Sequence, residues 1–239
     1  MTVLSSETKV KLEGVSISTL STVLFMRGLR NRVMQGVMPV NPGATRLVAP
    51  AFTLRFIPAR EDLDTMAEYA KESHVQRRAM EECPEGHVLV IDAMGETRAA
   101  SSGDILLSRL KARGCAGAIT DGGFRDTADI IALGFPAFQA ATAVSSSPIH
   151  LHPADLNLPI GCGGVAVYPG DIIVTDTDGA IVIPAHLVDE VAEQAAGMTA
   201  YEEFAAAQVA EGRSIYGLFP GTDESRKEFE AWRTGNRQD

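Results

Sequence analysis

Between residues 86 and 140 the chain alternates two kinds of segment. "GHVLVIDA" is a continuous apolar run of strand length, "GDILLSRLKARG" has helical spacing, and "CAGAITDGG" is apolar again. "RDTADIIALG" and "FPAFQA" repeat the cycle. Strand, helix, strand, helix, strand is the grammar of parallel α/β units, because parallel neighbours need a crossover and the crossover is usually a helix. Buried on both faces, such strands read as unbroken Val/Ile/Leu/Ala runs, as these do. Gly103-Asp104 stands at the predicted start of the first helix and Gly114 at its stop.

Outside this stretch the pattern changes. "ISTLSTVLFMRGLRNRVM" spaces Ile17, Leu20, Val23, Leu24 and Met34 roughly as a helix does, after Ser16 or Ser18 as cap. "NPGATRLVAPAFTLRFIPA" runs β-like, and "EDLDTMAEYAKESHVQRRAMEEC" reads as one helix, acidic at its start and basic near its end. After a Ser/Pro-rich loop, "LPIGCGGVAVYPGDIIVTDTDGAIVIPA" predicts several short strands with Asp178-Gly179 as a hairpin turn. An Ala/Glu-rich helix follows over "AHLVDEVAEQAAGMTAYEEFAAAQVAEG", and "DESRKEFEAWR" forms a short docking helix. No repeat or linker divides the chain, so one α/β domain with mixed sheets is expected.

The 239 residues, 45% hydrophobic and 22% charged, suffice for a large core. A formal charge of −10 argues against nucleic acid as a partner, since phosphate contact needs a positive surface. No apolar run approaches membrane length and the first residues lack a signal-like apolar stretch. Cys83, Cys115 and Cys162 are scattered and odd in number, which points to a reducing cytoplasm rather than a disulfide frame. No G-x-G-x-x-G supports a nucleotide cofactor.

Chemistry concentrates where the first two parallel strands end. If they are neighbours, the loops after them open on one edge, the usual ligand edge of such sheets. The free N–H groups of Gly103, Ile105 and Leu106 would form an anion seat at a helix start. Arg125 brings a planar fork suited to a carboxylate or an enolate. Asp126, a lone carboxylate with water filling the other positions, suits Mg²⁺. By residue types alone the commoner reading is Asp104 as a helix cap and Arg125-Asp126 as a surface ion pair at a second helix start. The two glycines before Arg125 favour the site, because glycine lets a backbone approach something closely.

The order of residues adds a resemblance. Asp104, twenty residues, then Arg125-Asp126 is similar to the signature of the 4-hydroxy-4-methyl-2-oxoglutarate aldolases and RraA-like proteins, a family named after a regulator of ribonuclease E. "GDILLSRLKARGCAGAITDGGFRD" resembles its G-D-x-L, A-x-x-x-G-x-x-G and D-G-x-x-R-D, with Leu110 at the usual Ala. "LPIGCGGVAVYPGDIIVTDTDGAIVIP" resembles its P-V-x-C-G-G, P-G-D and D-x-D-G-V-x-x-x-P. The likeness covers roughly residues 20 to 215, leaving 216–239 as a helical tail.

The resemblance implies a compact αββα sandwich and a class II pyruvate lyase that uses Mg²⁺ or Mn²⁺ on a 4-hydroxy-2-keto acid. Asp126 would ligate the metal, Arg125 contact the keto-acid oxygens, and Asp104 hold water on the metal. Amides after Gly103, at Ile105 and Leu106, would seat the pyruvate carboxylate. Glu202 or Glu203 in "AYEEF" would reach a neighbouring subunit's site within a homotrimer or homohexamer. The same enolate chemistry would allow oxaloacetate decarboxylation or dehydration of a 2-keto-3-deoxy sugar acid. A non-enzymatic ring that binds a ribonuclease is the other reading.

The first helix region departs from the family pattern: "MRGLRNRVMQGVMP" carries Arg27, Arg30 and Arg32 where many relatives have an acid. Those arginines would meet a substrate's distal anion or line a subunit interface. His150 and His152 are expected in a loop rather than on a metal. Asp176 and Asp178 belong to a hairpin rather than a calcium loop, and Cys162 is a small buried filler.

Overall fold

A computed structural model describes residues 4–235. In chain order the elements are α1 (Ser6–Glu13), α2 (Ile17–Met26), β1 (Met38–Pro39), β2 (Leu47–Pro58), α3 (Met66–Tyr69), α4 (Val75–Glu82) and β3 (Val88–Asp92). The middle holds β4 (Ala100–Ser102), α5 (Asp104–Ala112), β5 (Gly117–Thr120), β6 (Gly123–Phe124), α6 (Thr127–Leu133), β7 (Ala137–Gln139) and β8 (Ala141–Thr142). Then come β9 (Leu151–Leu156), β10 (Ile160–Cys162), β11 (Val165–Val167), β12 (Ile172–Asp176), β13 (Gly179–Ile183), α7 (Val188–Ala210) and α8 (Asp223–Gly235).

The main sheet runs β1-β7-β5-β3-β2-β12-β13, with β9 also paired to β2. Its centre, β7-β5-β3-β2, is parallel, as the alternation predicts, and its flanks are antiparallel. The sheet nearly closes. Met34 N–H donates to Ala180 O (2.9 Å) and Val182 N–H to Arg32 O (2.9 Å) at one edge, while Met38–Pro39 pairs with β7 at the other.

Each sheet half buries two faces. Leu89 and Ile91 of β3 pack with Leu107 and Leu110 of α5, Met80 of α4 and Ile130 of α6. Val88, Val90 and Ile119 look the other way, onto Ile173 and Val182 of the β12–β13 half and onto the β10–β11 hairpin. Ile172, Val174, Ile181 and Ile183 then meet Leu20 and Val23 of α2 and Val191 and Ala195 of α7. Helix, sheet, sheet, helix is the αββα sandwich with mixed sheets, formed because period-2 strands carry apolar residues on both faces.

Two local expectations shift. The segment read as one helix over residues 61–83 divides into α3 and α4, because between Tyr69 and Val75 no apolar stripe reaches the core. Thr65 caps the short α3, and the Tyr69 and His74 rings meet edge-on at 5.1 Å across the break. The β12–β13 turn is Thr177-Asp178, one residue earlier than expected. Gly179 is paired with Asp176 and has φ +132°; a Cβ there would lie 2.9 Å from Val37 O. That glycine serves a close chain crossing rather than the turn. The tail does dock: Phe229 of α8 packs among Tyr201, Phe204 and Leu218.

Candidate active site at the ends of the parallel strands

β3, β5 and β7 each end at the same edge and re-enter extended structure as β4, β6 and β8, a second, three-stranded parallel sheet. In it Ser102 is registered opposite Phe124. The residues that follow those two, Gly103-Asp104 and Arg125-Asp126, therefore come side by side, and Arg125 N–H donates to Ser102 O (3.1 Å).

Gly122 and Gly123 make this second sheet possible. A Cβ on Gly122 would lie 2.6 Å from Glu96 O and 2.7 Å from Ala93 Cβ; on Gly123 it would lie 2.7 Å from Ala143 Cβ. The close approach read from the two glycines is thus protein on protein. Gly122→Ala should cost about 1–3 kcal/mol of stability by overpacking against backbone, which denaturant unfolding will measure. Asp121 secures the same corner, accepting Ala93 N–H (2.7 Å) and Gly163 N–H (3.2 Å). Burial is the main influence on its carboxyl and pushes it above the usual range.

At the edge itself, Gly103 occupies the N-cap position of α5 without any side-chain cap. The first helical hydrogen bond runs from Leu107 N–H to Gly103 O (3.1 Å), so the N–H groups of Asp104, Ile105 and Leu106 have no partner within the helix. Asp104 is the first residue of α5 rather than its cap. Arg125 Nε donates to Asp126 Oδ2 (3.0 Å) and Nη1 to Ser146 Oγ (3.2 Å). Asp126 sits at the start of α6 in the left-handed region (φ 59°, ψ 42°), yet makes no capping bond. Its carboxylate turns instead toward Gly103, whose absent Cβ would lie 2.9 Å from Oδ2. A non-glycine residue in this region is uncommon, and such strain clusters at functional sites.

Gly103, Asp104, Ile105, Leu106 and Arg125 line a cleft of about 990 Å³ that extends over α3 and α4. Arg78 and Arg109, also on its wall, are paired with Glu82 and Glu81 at 2.7 Å. Among the described residues no three His, Cys, Asp or Glu side chains gather as a metal cluster. The carboxylates at this edge, Asp126 and Asp104, which follow the paired strands β6 and β4, fit a hard cation that keeps most of its water, not a thiolate or imidazole centre.

The remaining candidates lie elsewhere. Glu202 accepts from Thr19 Oγ1 (2.9 Å) and Glu203 is exposed; neither lines this cleft in the chain's own fold. Nor do Arg27, Arg30 or Arg32. Arg27 pairs with Glu190 (2.7 Å) and Gln194 (2.9 Å), and Arg30 lies 6.0 Å from the Phe25 ring centre. His152 falls on β9, not in a loop, with Nδ1 2.7 Å from Asp64 Oδ1, while His150 ends the short turn before that strand. Asp176 accepts Ile17 N–H (2.8 Å) and Asp178 N–H (2.9 Å), tying the hairpin to α2. Cys162 is fully buried, and burial raises its thiol well out of the nucleophilic range.

A family model described as RraA-like, Aldolase/RraA, matches residues 17–182. The chain belongs to the RraA-like family. A Halalkalibacterium halodurans protein provisionally named 4-hydroxy-4-methyl-2-oxoglutarate aldolase is 40% identical over 126 residues, 53% of this chain and 60% of that relative. Protein DlpA of Legionella pneumophila is 26% identical over 179 residues, 75% of this chain but 28% of its own length. The chain thus spans three fifths or less of these curated relatives. Among solved structures, Streptomyces coelicolor RraAS2, described as an unusual member of the RNase ES inhibitor RraA protein family, superposes with a TM-score of 0.77. It is 31% identical over 85% of this chain and 98% of that one. No described helix of this RraA-like chain is long and apolar enough to cross a membrane.

Proposed function

We propose that this edge is the active site of a divalent-metal-dependent lyase that cleaves a 4-hydroxy-2-keto acid by retro-aldol chemistry and releases pyruvate. One observation carries the reading: an uncapped helix start, a guanidinium and a carboxylate on left-handed backbone meet at Gly103, where an added methyl group would push Arg125 and Asp126 aside. The name of the Halalkalibacterium relative supports an aldolase.

Cleaving the bond beside a 2-keto group leaves an enolate, so the site must stabilise negative charge that grows in the transition state. The free amides of Ile105 and Leu106 receive the substrate carboxylate at the positive end of α5. Arg125, held between Asp126 and Ser146, faces the keto oxygen as its charge develops. Asp126, with Asp104 beside the seat, would hold Mg²⁺ or Mn²⁺, which supplies Lewis-acid polarisation of the keto acid. Asp104 orients the water that takes the hydroxyl proton and returns one to the enolate carbon. Oxaloacetate decarboxylation would produce the same enolate. A trimer or hexamer would bring a partner's α7 to the site, with Glu202 or Glu203 as its acid.

The test is pyruvate release from a panel of 4-hydroxy-2-keto acids and oxaloacetate, followed by lactate dehydrogenase coupling. Turnover should require Mg²⁺ or Mn²⁺, stop on chelation, and fall roughly 10²- to 10³-fold in Arg125→Lys, which keeps the charge and loses the fork. Folded protein that releases no pyruvate from any of them with either metal refutes the lyase; NMR of the products separates cleavage from dehydration of a sugar acid.

The description of RraAS2 favours a second reading, a protein that binds and inhibits a ribonuclease. In that case RNase inhibition would be insensitive to Asp126→Asn, because a docking surface has no use for a metal carboxylate.

A further inference from the structure

β4 is three residues long, and its register against β6 shifts between Ala100 and Ser102. Ser101 turns inward, and its hydroxyl makes hydrogen bonds to Thr120 Oγ1 (3.1 Å) and Gly123 O (3.1 Å). Its neighbours Ala100 and Ser102 both line the cleft. Ser102 is only 3% exposed, and its Oγ has no hydrogen-bond partner. A buried hydroxyl left unpaired costs about 1–3 kcal/mol, so its place in the fold calls for an occupant. That place is one residue ahead of Gly103, next to the unpaired amides of the nine-residue α5 and beneath Arg125, whose backbone N–H holds the Ser102 carbonyl.

We propose that Ser102 Oγ is a substrate-binding donor: its hydroxyl gives a hydrogen bond to the carboxylate seated on the α5 amides, beside the Arg125 fork. This rests on the reading of that edge as a 2-keto acid seat and adds to it a contact made by a side chain. A carboxylate suits the position because each of its oxygens accepts more than one hydrogen bond, so amide and hydroxyl donors share it without conflict. Ala100, the other β4 residue lining the cleft, brings no competing acceptor.

The probe is oxalate, a planar dianion shaped like the enolate of pyruvate, titrated calorimetrically into the full chain loaded with Mn²⁺. Ser102→Ala should bind oxalate roughly tenfold or more weakly, the loss of one hydrogen bond to a charged group. Mn²⁺ affinity should be unchanged. Thermal stability without oxalate should be equal or higher, since the variant deletes an unpaired buried polar group. Ser102→Cys, close in size with a weaker donor, should fall between, and Ser108→Ala, exposed on the next turn of α5, should match the wild type. A hydroxyl with only a structural role would leave oxalate affinity intact. Wild-type affinity in Ser102→Ala, with Arg125→Lys weakened, overturns the Ser102 contact and spares the seat. Failure of the wild type itself to bind oxalate with Mn²⁺ overturns the seat and the contact together.

Discussion

Asp126→Asn, purified and folded, should turn over 2-keto acid substrates roughly a thousandfold more slowly than wild type at saturating Mg²⁺ or Mn²⁺. The figure corresponds to the several kcal/mol that a bound cation contributes to stabilising transition-state charge. Asparagine is the informative replacement. The residue holds φ 59°, and asparagine, like aspartate, tolerates the left-handed region better than most non-glycine residues. The backbone corner into α6 is therefore kept, and the side chain keeps its length. What disappears is the negative charge, which pairs with Arg125 and, on the proposed reading, would be a hard anionic ligand. Asp126→Ala would confound the two effects by adding backbone strain. The measurement is steady-state kinetics beside a thermal melt: a preserved melting temperature with lost turnover is expected. Metal-dependent turnover near the wild-type rate would remove Asp126 from the chemistry.

Gly103→Ala should lower kcat/KM roughly a hundredfold while changing stability by less than about 1 kcal/mol. The backbone at Gly103 is extended (φ −143°, ψ −176°), which any residue adopts, so no conformational strain is introduced. The added methyl would lie 2.9 Å from Asp126 Oδ2, 3.0 Å from Arg125 Cγ and 3.1 Å from Arg125 Nε. These are side-chain atoms on partly exposed residues, which can swing aside at little cost to folding. Swinging aside is what the site cannot tolerate, because an error near 1 Å in a catalytic group can cost two orders of magnitude. Kinetics combined with denaturant titration separates the outcomes. Unchanged kcat/KM would mean that the Arg125–Asp126 geometry at 3.0 Å is not the working one.

Comparable effects were not equally visible in the amino-acid order. The strands β3, β5 and β7 were legible because burial on both faces leaves an unbroken apolar run, and the edge they share follows from parallel pairing. The second sheet was not legible: strands of two or three residues, such as Gly123–Phe124, carry no periodicity. Gly122-Gly123 did signal a close approach, but a glycine pair does not say whether the neighbour is a ligand or another strand; here it is Glu96 and Ala143. Ser102 gave no signal of its own, because which of Ser101 and Ser102 meets the cleft is decided in a short strand with a shifted register, which the order of residues does not show. The break between α3 and α4 was hidden because acidic and basic residues satisfy a helix dipole whether or not the middle of the segment packs. Glu202 and Glu203 lie on α7 and do not line the cleft in this chain's own fold, so any part they take there would need a second chain.

The small sheet has a consequence for how such a chain can change. The connections into it are unequal: 93–99 joins β3 to β4, whereas 121–122 joins β5 to β6 and residue 140 alone joins β7 to β8. Because β4 is realigned on β6 after its long connection, exposed positions within 93–99, such as Met94, can vary without moving Gly103 relative to Arg125, whereas Ala93 and Glu96 are held against Gly122. The two short connections have no such slack. Sequence variation in this architecture is thus absorbed on the exposed part of the one long connection, while Gly103 and Arg125 keep their register.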